Sequence, residues 1–286
     1  MTWSVTADPE AFLAAAGDFL HADPAGNSVM LTVVETMRER GGFPAGEGDA
    51  VLGWWQAADA GPVTGAFMQT PPYPLHVAAM PPEAVPALAE LLAERDPAAV
   101  AGVGGDRAAT DAFAAAWTER TGARARVHRR MRLHRLRELV APDPPPPGRA
   151  VVGGPEHRDV LIAWYEAFTA EIDDPPHDVR LQVEDRIAYG GTTLWLADDG
   201  EPVALAGRTR IVAGQARIAP VYTPPEHRGR GYASGATAAA TRAALEAGAG
   251  EVLLYTDLAN PTANRLYARL GYEPVEDRVM VSFEAA

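Results

Sequence analysis

The sequence predicts an α/β fold in two similar halves. Three observations carry that prediction. Stretches with apolar residues at helical spacing alternate with short β-branched and aromatic runs, the order of these elements recurs after the midpoint, and a run of prolines separates the two series. The chain has 286 residues, 47% of them hydrophobic, which is enough for two substantial cores.

Taken in order, the first half opens with helices at about 8–22 and 27–40. Phe12, Leu13, Ala16, Phe19 and Leu20 make an apolar stripe at helical spacing in the first of them. Strands are expected at 51–55, 63–68 and 75–80, the first two joined by a turn at Asp59-Ala60-Gly61-Pro62. A helix over 82–94, a short strand near 100–103, a helix at 106–120 and a strand at 124–137 complete the half. In that last strand Arg124, Arg126, His128, Arg130, Arg132 and His134 alternate with Ala125, Val127, Met131 and Leu133, and Arg129 interrupts the apolar row. A period of two gives one core face and one basic face. Glu276, Asp277 and Glu284 are acids with which the basic face could pair.

Pro142-Asp143-Pro144-Pro145-Pro146-Pro147-Gly148 lacks most backbone donors and disfavours helix, so it reads as an extended, semi-rigid linker. The expected organisation is a first domain over 1–140, a linker over 141–149 and a second domain over 150–286. Helices then fit 155–171 and 178–189. Strands fit 193–197, 203–212 and 216–223, with a turn at Asp198-Asp199-Gly200-Glu201. A helix at 231–247, a strand at 251–257, a helix at 261–270 and a strand at about 278–283 repeat the earlier order. The match extends to residues: Met80-Pro81-Pro82-Glu83 stands where the second half has Thr223-Pro224-Pro225-Glu226.

Composition removes whole classes of function. The formal net charge is −13, and both halves are acidic, which argues against nucleic acid or an anionic membrane as partner. Cys is absent, which excludes disulfides, thiolate metal sites and a catalytic Cys. All 25 basic residues are Arg, so no Lys can form a Schiff base or serve a P-loop. The seven His are scattered without metal-ligand spacing, so no metal is expected. Apolar runs such as those at 29–31 and 33–34 fall far short of a membrane span, and Met1-Thr2-Trp3-Ser4-Val5 lacks the features of a signal peptide; a cytoplasmic, globular protein is the expectation.

The stretch that carries chemistry is Val221-Tyr222-Thr223-Pro224-Pro225-Glu226-His227-Arg228-Gly229-Arg230-Gly231-Tyr232-Ala233-Ser234. An apolar strand runs into a Gly-rich turn, which opens a helix of small residues. Glycine permits unusual dihedrals and close approach, and the first-turn amides of a helix point outward with the positive dipole end behind them. Together they form an anion site suited to a pyrophosphate, with Arg228 and Arg230 adding charge. The spacing fits neither a P-loop nor the dinucleotide fingerprint.

Arg228-Gly229-Arg230-Gly231-Tyr232-Ala233 resembles the R/Q-x-x-G-x-G/A signature of the GNAT superfamily of acyl-CoA-dependent N-acyltransferases. A second segment supports the likeness: the strand ending Tyr255-Thr256-Asp257, then Asn260-Pro261, Asn264, Tyr267 and Leu270-Gly271-Tyr272. The explicit match covers about 193–283, and the first half resembles the family only in element order. The resemblance implies two GNAT-like domains, each a mixed, mostly antiparallel twisted sheet flanked by helices. It implies that Val221, Tyr222 and Thr223 run beside the pantetheine arm of acetyl-CoA, that amides of Gly229, Arg230, Gly231, Tyr232, Ala233 and Ser234 hold its pyrophosphate, and that Asn260 and Asn264 contact the cofactor or fix nearby backbone. It implies Tyr267 as general acid, with a backbone N–H at Val221 or Tyr222 stabilising the oxyanion.

The residue physics agrees. Asn260 is a good N-cap with Pro261 at the favoured first position, and Asn264 and Tyr267 share a helix face. In the family a Glu often stands on the strand before the loop as base; here Ala216-Arg217-Ile218-Ala219-Pro220-Val221-Tyr222-Thr223 holds no carboxylate. Glu166, Glu171, Asp173 or a water could take the proton, and the same carboxylates could hold a cationic amine. The expected acceptor is a small-molecule or peptide amine, and the expected state a monomer or homodimer.

In the first half, Glu83-Ala84-Val85-Pro86-Ala87-Leu88 replaces the glycine turn, and aligning Gly122 with Gly271 sets Thr118 opposite Tyr267. An acyl-CoA site is not expected there. The basic strand at 124–137 could instead reach the adenosine 3′-phosphate. The alternatives to an N-acetyltransferase are a mycothiol-synthase-like enzyme and an acyl-CoA-binding sensor or structural protein; retention of Tyr267 favours an enzyme.

Overall fold

The computed structural model describes residues 2–41, 50–56 and 61–284, so the turn expected at 59–62 lies partly outside the described residues. The chain forms two compact units. One is Met1–Met131 with Asp277–Ala286; the other is Arg132–Glu276.

The first series of elements is β1 (Thr2–Thr6), α1 (Pro9–Ala22), α2 (Ser28–Arg40), β2 (Val51–Gln56), β3 (Val63–Gln69), β4 (Leu75–Val77), α3 (Ala84–Arg95), β5 (Gly102–Gly105), α4 (Arg107–Thr121) and β6 (Arg124–Leu136). The second is β7 (Arg149–Val152), α5 (Arg158–Glu171), α6 (Arg180–Ala188), β8 (Thr192–Leu196), β9 (Pro202–Arg208), β10 (Gln215–Tyr222), α7 (Tyr232–Glu246), β11 (Glu251–Asp257), α8 (Pro261–Arg269) and β12 (Tyr272–Glu284). The two series agree element for element. Two members, β1 and β7, go beyond the sequence expectation; runs of four or five residues are too short for alternation to register. Side-chain caps mark the starts of α1, α4 and α8. Asp8 accepts from the Glu10 amide at 2.9 Å and Asp106 from the Ala109 amide at 2.9 Å.

In the first unit β1, β2, β3 and β4 pair antiparallel in turn, and β4 pairs parallel with β5. The far side of β5 pairs antiparallel with the end of β12, from Val279↔Gly105 to Ser282↔Gly102. In the second unit β7, β8, β9 and β10 are antiparallel neighbours, β10 and β11 are parallel, and the end of β6 follows β11. The last strand of each series therefore completes the sheet made by the other series.

This arrangement corrects the expected boundaries at 140 and 150. Residues 132–149 belong with the second unit, and 277–286 with the first. The proline run is a packed strap rather than a linker. The Pro147 carbonyl accepts from Trp195 Nε1 at 2.8 Å, and a Cβ on Gly148 would run into the Leu196 carbonyl oxygen. The last strand starts at Tyr272 rather than 278. Gly271 before it has φ +91°, and a Cβ there would collide with the Glu138 carbonyl oxygen. The Arg137 amide donates to the Gly271 carbonyl at 3.0 Å, and the Val140 amide to that of Leu270 at 3.1 Å. The Gly of Leu270-Gly271-Tyr272 is thus where the chain crossing from β6 meets the end of α8.

The first core gathers Trp3, Trp55, Phe67, Leu88, Phe113 and Trp117 with Val279 and Val281. Trp3 stands 5.5 Å from Trp55 and 5.2 Å from Phe67, ring centre to ring centre, and its Nε1 donates to the Ala84 carbonyl at 2.9 Å. Aromatic burial of this kind dominates the stability of such a core.

The second unit has a core on each face of its sheet. On one face Tyr232, Ala236, Ala240 and Ala244 of α7 and Tyr267 of α8 pack on Ala204, Ala206, Ile218, Val252 and Leu254. On the other, Leu161, Tyr165, Val179 and Val183 from α5 and the α6 region pack on Leu194, Leu196 and Leu205. The small residues of α7 let it lie close: a Cβ on Gly235 would stand 2.8 Å from Pro146 Cγ and 2.8 Å from Trp195 Cζ3.

The basic strand differs from its expected two-faced pattern. Ala125 and Val127 are exposed, Val127 to 46%, whereas Leu133 and His134 are both buried. Covering layers, rather than alternation, decide burial along β6, and only its last residues are covered. One expected partner is present: Arg126 Nη1 lies 3.2 Å from Glu284 Oε1.

Candidate active site

The central feature of the second unit is where β10 parts from β11. The parallel pairing runs only from Gln215↔Glu251 to Arg217↔Leu253. Beyond it β10 stays with β9, through a register shift between Ile218 and Val221, to Val221↔Ala206 and Tyr222↔Leu205. The edge of β10 facing β11 is therefore open over Val221 and Tyr222. Alternate backbone amides and carbonyls on such an edge can pair with an extended amide-bearing ligand as an added strand.

That edge leads through a 3-10 turn at Pro225–His227 into the glycine turn. Gly229 has φ +78° and Gly231 φ +82°, conformations that side chains strain to adopt. Gly231 is the N-cap of α7. The amides of Ser234 and Gly235 already donate to the Gly231 carbonyl, at 3.0 and 3.1 Å. Among the described residues, those of Gly229, Arg230, Gly231, Tyr232 and Ala233 make no backbone hydrogen bond outside the helix itself. The amides left without a backbone acceptor are thus those of 229–233, while that of Ser234 is bonded inside the helix.

Arg228 and Arg230 differ. Arg230 is exposed. Arg228 is held in place, its Nε donating to the Thr223 carbonyl at 2.9 Å and its Nη2 lying 2.5 Å from Glu171 Oε2. It ties the end of α5 to the turn. His227 is half-buried, and its Nδ1 is without a hydrogen-bond partner, as is Thr223 Oγ1.

Across the gap, β11 and α8 carry a second group. Asn260 caps α8, accepting from the Ala263 amide at 3.0 Å. Asn264 Nδ2 donates to the carbonyls of Asp257 at 2.8 Å and Asn260 at 2.7 Å. Its Oδ1 accepts from Thr256 Oγ1 at 2.7 Å. Having donated its proton, the Thr256 hydroxyl can only accept from His134 Nε2, 3.2 Å away, which fixes the imidazole tautomer. Asn264 is thus spent on the strand–helix junction that positions Tyr267 one turn later, and the backbone-fixing role fits it. His134 and Thr256 were not singled out by sequence; their link spans 122 positions.

Tyr267 is 8% exposed and stands edge-on to Tyr272, with 6.1 Å between ring centres. Burial pushes its phenol well above the usual value of about 10, so it is protonated throughout the neutral range. Tyr272 is engaged elsewhere, at 2.7 Å from Thr241 Oγ1, whereas the Tyr267 hydroxyl has no hydrogen-bond partner among the described residues.

The acidic candidates do not gather. Glu166 and Asp173 are exposed, and Glu171 is taken by Arg228. Among the described residues no group of three or more His, Asp or Glu could hold a metal ion, and no helix is long and apolar enough to cross a membrane. The first unit has no glycine turn between β4 and α3, where Ala84 follows directly on Pro81-Pro82-Glu83.

Residues 158–272 match the family model described as the acetyltransferase (GNAT) family. No curated protein matches the sequence. Among solved structures, a Drosophila protein from a structural-genomics programme is 12% identical, with a TM-score of 0.70 over 99% of this chain and 98% of its own. A tandem GNAT protein from the clavulanic acid biosynthesis pathway is 15% identical, with a TM-score of 0.59 over 99% and 98%. A GNAT-family acetyltransferase from Colwellia psychrerythraea is 15% identical, with a TM-score of 0.57 over the full length of both chains. The shared fold thus runs through both series of elements.

Proposed function

We propose that the chain is an acetyl-CoA-dependent N-acetyltransferase whose second unit carries the whole reaction; the match of residues 158–272 to the acetyltransferase (GNAT) family model and the fold shared with a tandem GNAT protein support this reading. The observation that carries this reading is the open edge of β10 at Val221 and Tyr222 running directly into the Gly229–Gly231 turn and the free first-turn amides of α7. An edge for the pantetheine amides and a helix N-terminus for the pyrophosphate are what an extended acyl-CoA needs, in that order along the chain.

Bound acetyl-CoA supplies an activated thioester. The chain's own residues do the rest. Val221 and Tyr222 would present a backbone N–H to the carbonyl oxygen as negative charge develops there. The amine lone pair forms the new C–N bond, the C–S bond breaks with its electrons on sulfur, and the amine's proton is finally carried by the thiol. Tyr267 would face the sulfur. Its raised pKa makes complete proton transfer to a thiolate of ordinary pKa about 8.5 uphill, so its contribution is hydrogen-bond donation as the sulfur gains charge. Glu171 is paired with Arg228, so in this reading a water, or Glu166 or Asp173 from the surface, takes the amine's proton.

The first unit takes no part in holding acetyl-CoA in this reading, since α3 has Pro86 in its first turn and no glycine pair before it. The test is thiol release from acetyl-CoA with a panel of amines. Release with at least one amine, dependent on Tyr267, is the expected result. Acetyl-CoA binding with no release from any amine would contradict it and favour a sensor.

A further inference from the structure

The α5/α6 face of the second unit holds a concentration of positive charge that acetyl transfer from acetyl-CoA does not by itself require. Arg186 of α6 is 6% exposed. Its Nη1 donates to the Arg208 carbonyl at 2.7 Å, and its guanidinium lies 5.7 Å from the centre of the Tyr165 ring. Gly207 makes room for it: a Cβ there would stand 2.6 Å from Arg186 Nη1, 2.6 Å from the Ala219 carbonyl oxygen and 3.0 Å from Pro220 Cδ. The guanidinium therefore sits over the bulge of β10, immediately before the open edge at Val221.

Arg217 lies on the same strand at the point where β10 and β11 part. Its Nη1 is buried without a hydrogen-bond partner. Burial lowers its pKa and Arg186 nearby lowers it further, while the phenols of Tyr255 and Tyr189 oppose this. Among the described residues its guanidinium forms no ion pair. Beside them, both side-chain polar atoms of Gln215 and the Nε of Arg208 are also buried without partners. Arg210, stacked at 4.4 Å on the Tyr189 ring, pairs with Asp185, its Nη2 2.7 Å from Asp185 Oδ1, and the same carboxylate also acts on Arg186. A buried guanidinium without a counter-charge is strongly unfavourable, and a bound anion relieves it.

We propose that Arg217 and Arg186 bind a carboxylate of the acceptor, so that the amine substrate is an amino acid or a comparably small amino carboxylate. This rests on the acetyl-transfer reading and names the acceptor class for that same site. A guanidinium fork is the natural receptor for a carboxylate. In an α-amino acid a single carbon separates amine from carboxylate. With the carboxylate at Arg186 and Arg217, the amine is held close to the stretch of β10 that leads to Val221, beside which the acyl carbon is expected in this reading. The acidic loop at Glu171 and Asp173, which would have suited a polycationic amine, is directed to the surface and to Arg228 instead.

The experiment compares thiol release from acetyl-CoA for each common amino acid against its own carboxamide, with acetyl-CoA affinity measured calorimetrically on the same protein. The amide's amine is the less basic and so more often neutral, which favours the amide in the absence of a carboxylate site. The expected result is a preference for at least one amino acid over its amide of about tenfold or more in kcat/KM, as befits a charge-assisted pair. In Arg217→Met that preference falls to about twofold or less while acetyl-CoA affinity is retained; Arg217→Gln, which keeps a polar end, gives the same answer if the Met variant does not fold. Equal use of amides, a preference unchanged in these variants, or no release from either set with acetyl-CoA bound would overturn the proposal. Failure to bind acetyl-CoA at all would instead overturn the acetyl-transfer reading, and this proposal with it.

Discussion

Tyr267→Phe is expected to lower kcat about 100-fold at saturating acetyl-CoA, with acetyl-CoA affinity close to that of the unmodified protein. The variant keeps the ring that packs against Tyr272 and among the α7 residues, and removes only the hydroxyl, which has no partner to lose among the described residues. The effect belongs at the lower end of the range for acid–base groups. Burial raises the phenol's pKa, so it stabilises charge on sulfur by a hydrogen bond rather than by surrendering its proton. For the same reason no fall in kcat traceable to this tyrosine should appear as pH rises to about 10, its unperturbed value. Steady-state kinetics decide the matter: a loss under about threefold would remove Tyr267 from the mechanism.

Gly231→Val should weaken acetyl-CoA binding by more than about 100-fold, the equivalent of two charge-assisted hydrogen bonds. Gly231 holds φ +82° at the N-cap of α7, a conformation that a β-branched residue strains to adopt. Reverting that φ would turn the turn's amides away from one another, and the branched side chain would stand over them. Strain alone also lowers stability, so a second substitution separates the effects. Gly248 has φ +96° with open space around it, just past the end of α7. Gly248→Val should lose comparable stability and keep its acetyl-CoA affinity in calorimetry. Equal loss of binding in both would show that strain, not the anion site, explains the first.

The parts of the site that were legible in the sequence are those built from short-range patterns. The Gly229–Gly231 turn, the Asn260–Pro261 cap and the spacing of Asn264 to Tyr267 each lie within one turn or one helix, where residue type dictates backbone conformation directly. The structure places each of them in the element that the spacing indicates. The repeated element order was legible for the same reason. The parts that were not legible depend on long-range pairing. Nothing local in Arg124–Leu136 or Tyr272–Glu284 says that each strand completes the sheet of the other series, since the alternation in a strand is the same whichever neighbour it finds. The proline run has the composition of a linker, and only the contacts with Trp195, Gly231 and Gly235 reveal a strap. His134 reads as one of a row of basic residues until Thr256, far away in sequence, is seen opposite it. Arg186 and Arg217 look like any of the other 23 arginines in a lysine-free chain, and only burial distinguishes them.

If the proposed function holds, the chain has one extended acyl-CoA site, in the second unit, on the open edge of β10 and the N-terminus of α7. Isothermal titration of the intact protein with acetyl-CoA tests it most directly. A single class of site is expected, with one acetyl-CoA per chain and at least about 100-fold weaker binding in Gly231→Val; two acetyl-CoA per chain, or undiminished binding in that variant, would rule this site out.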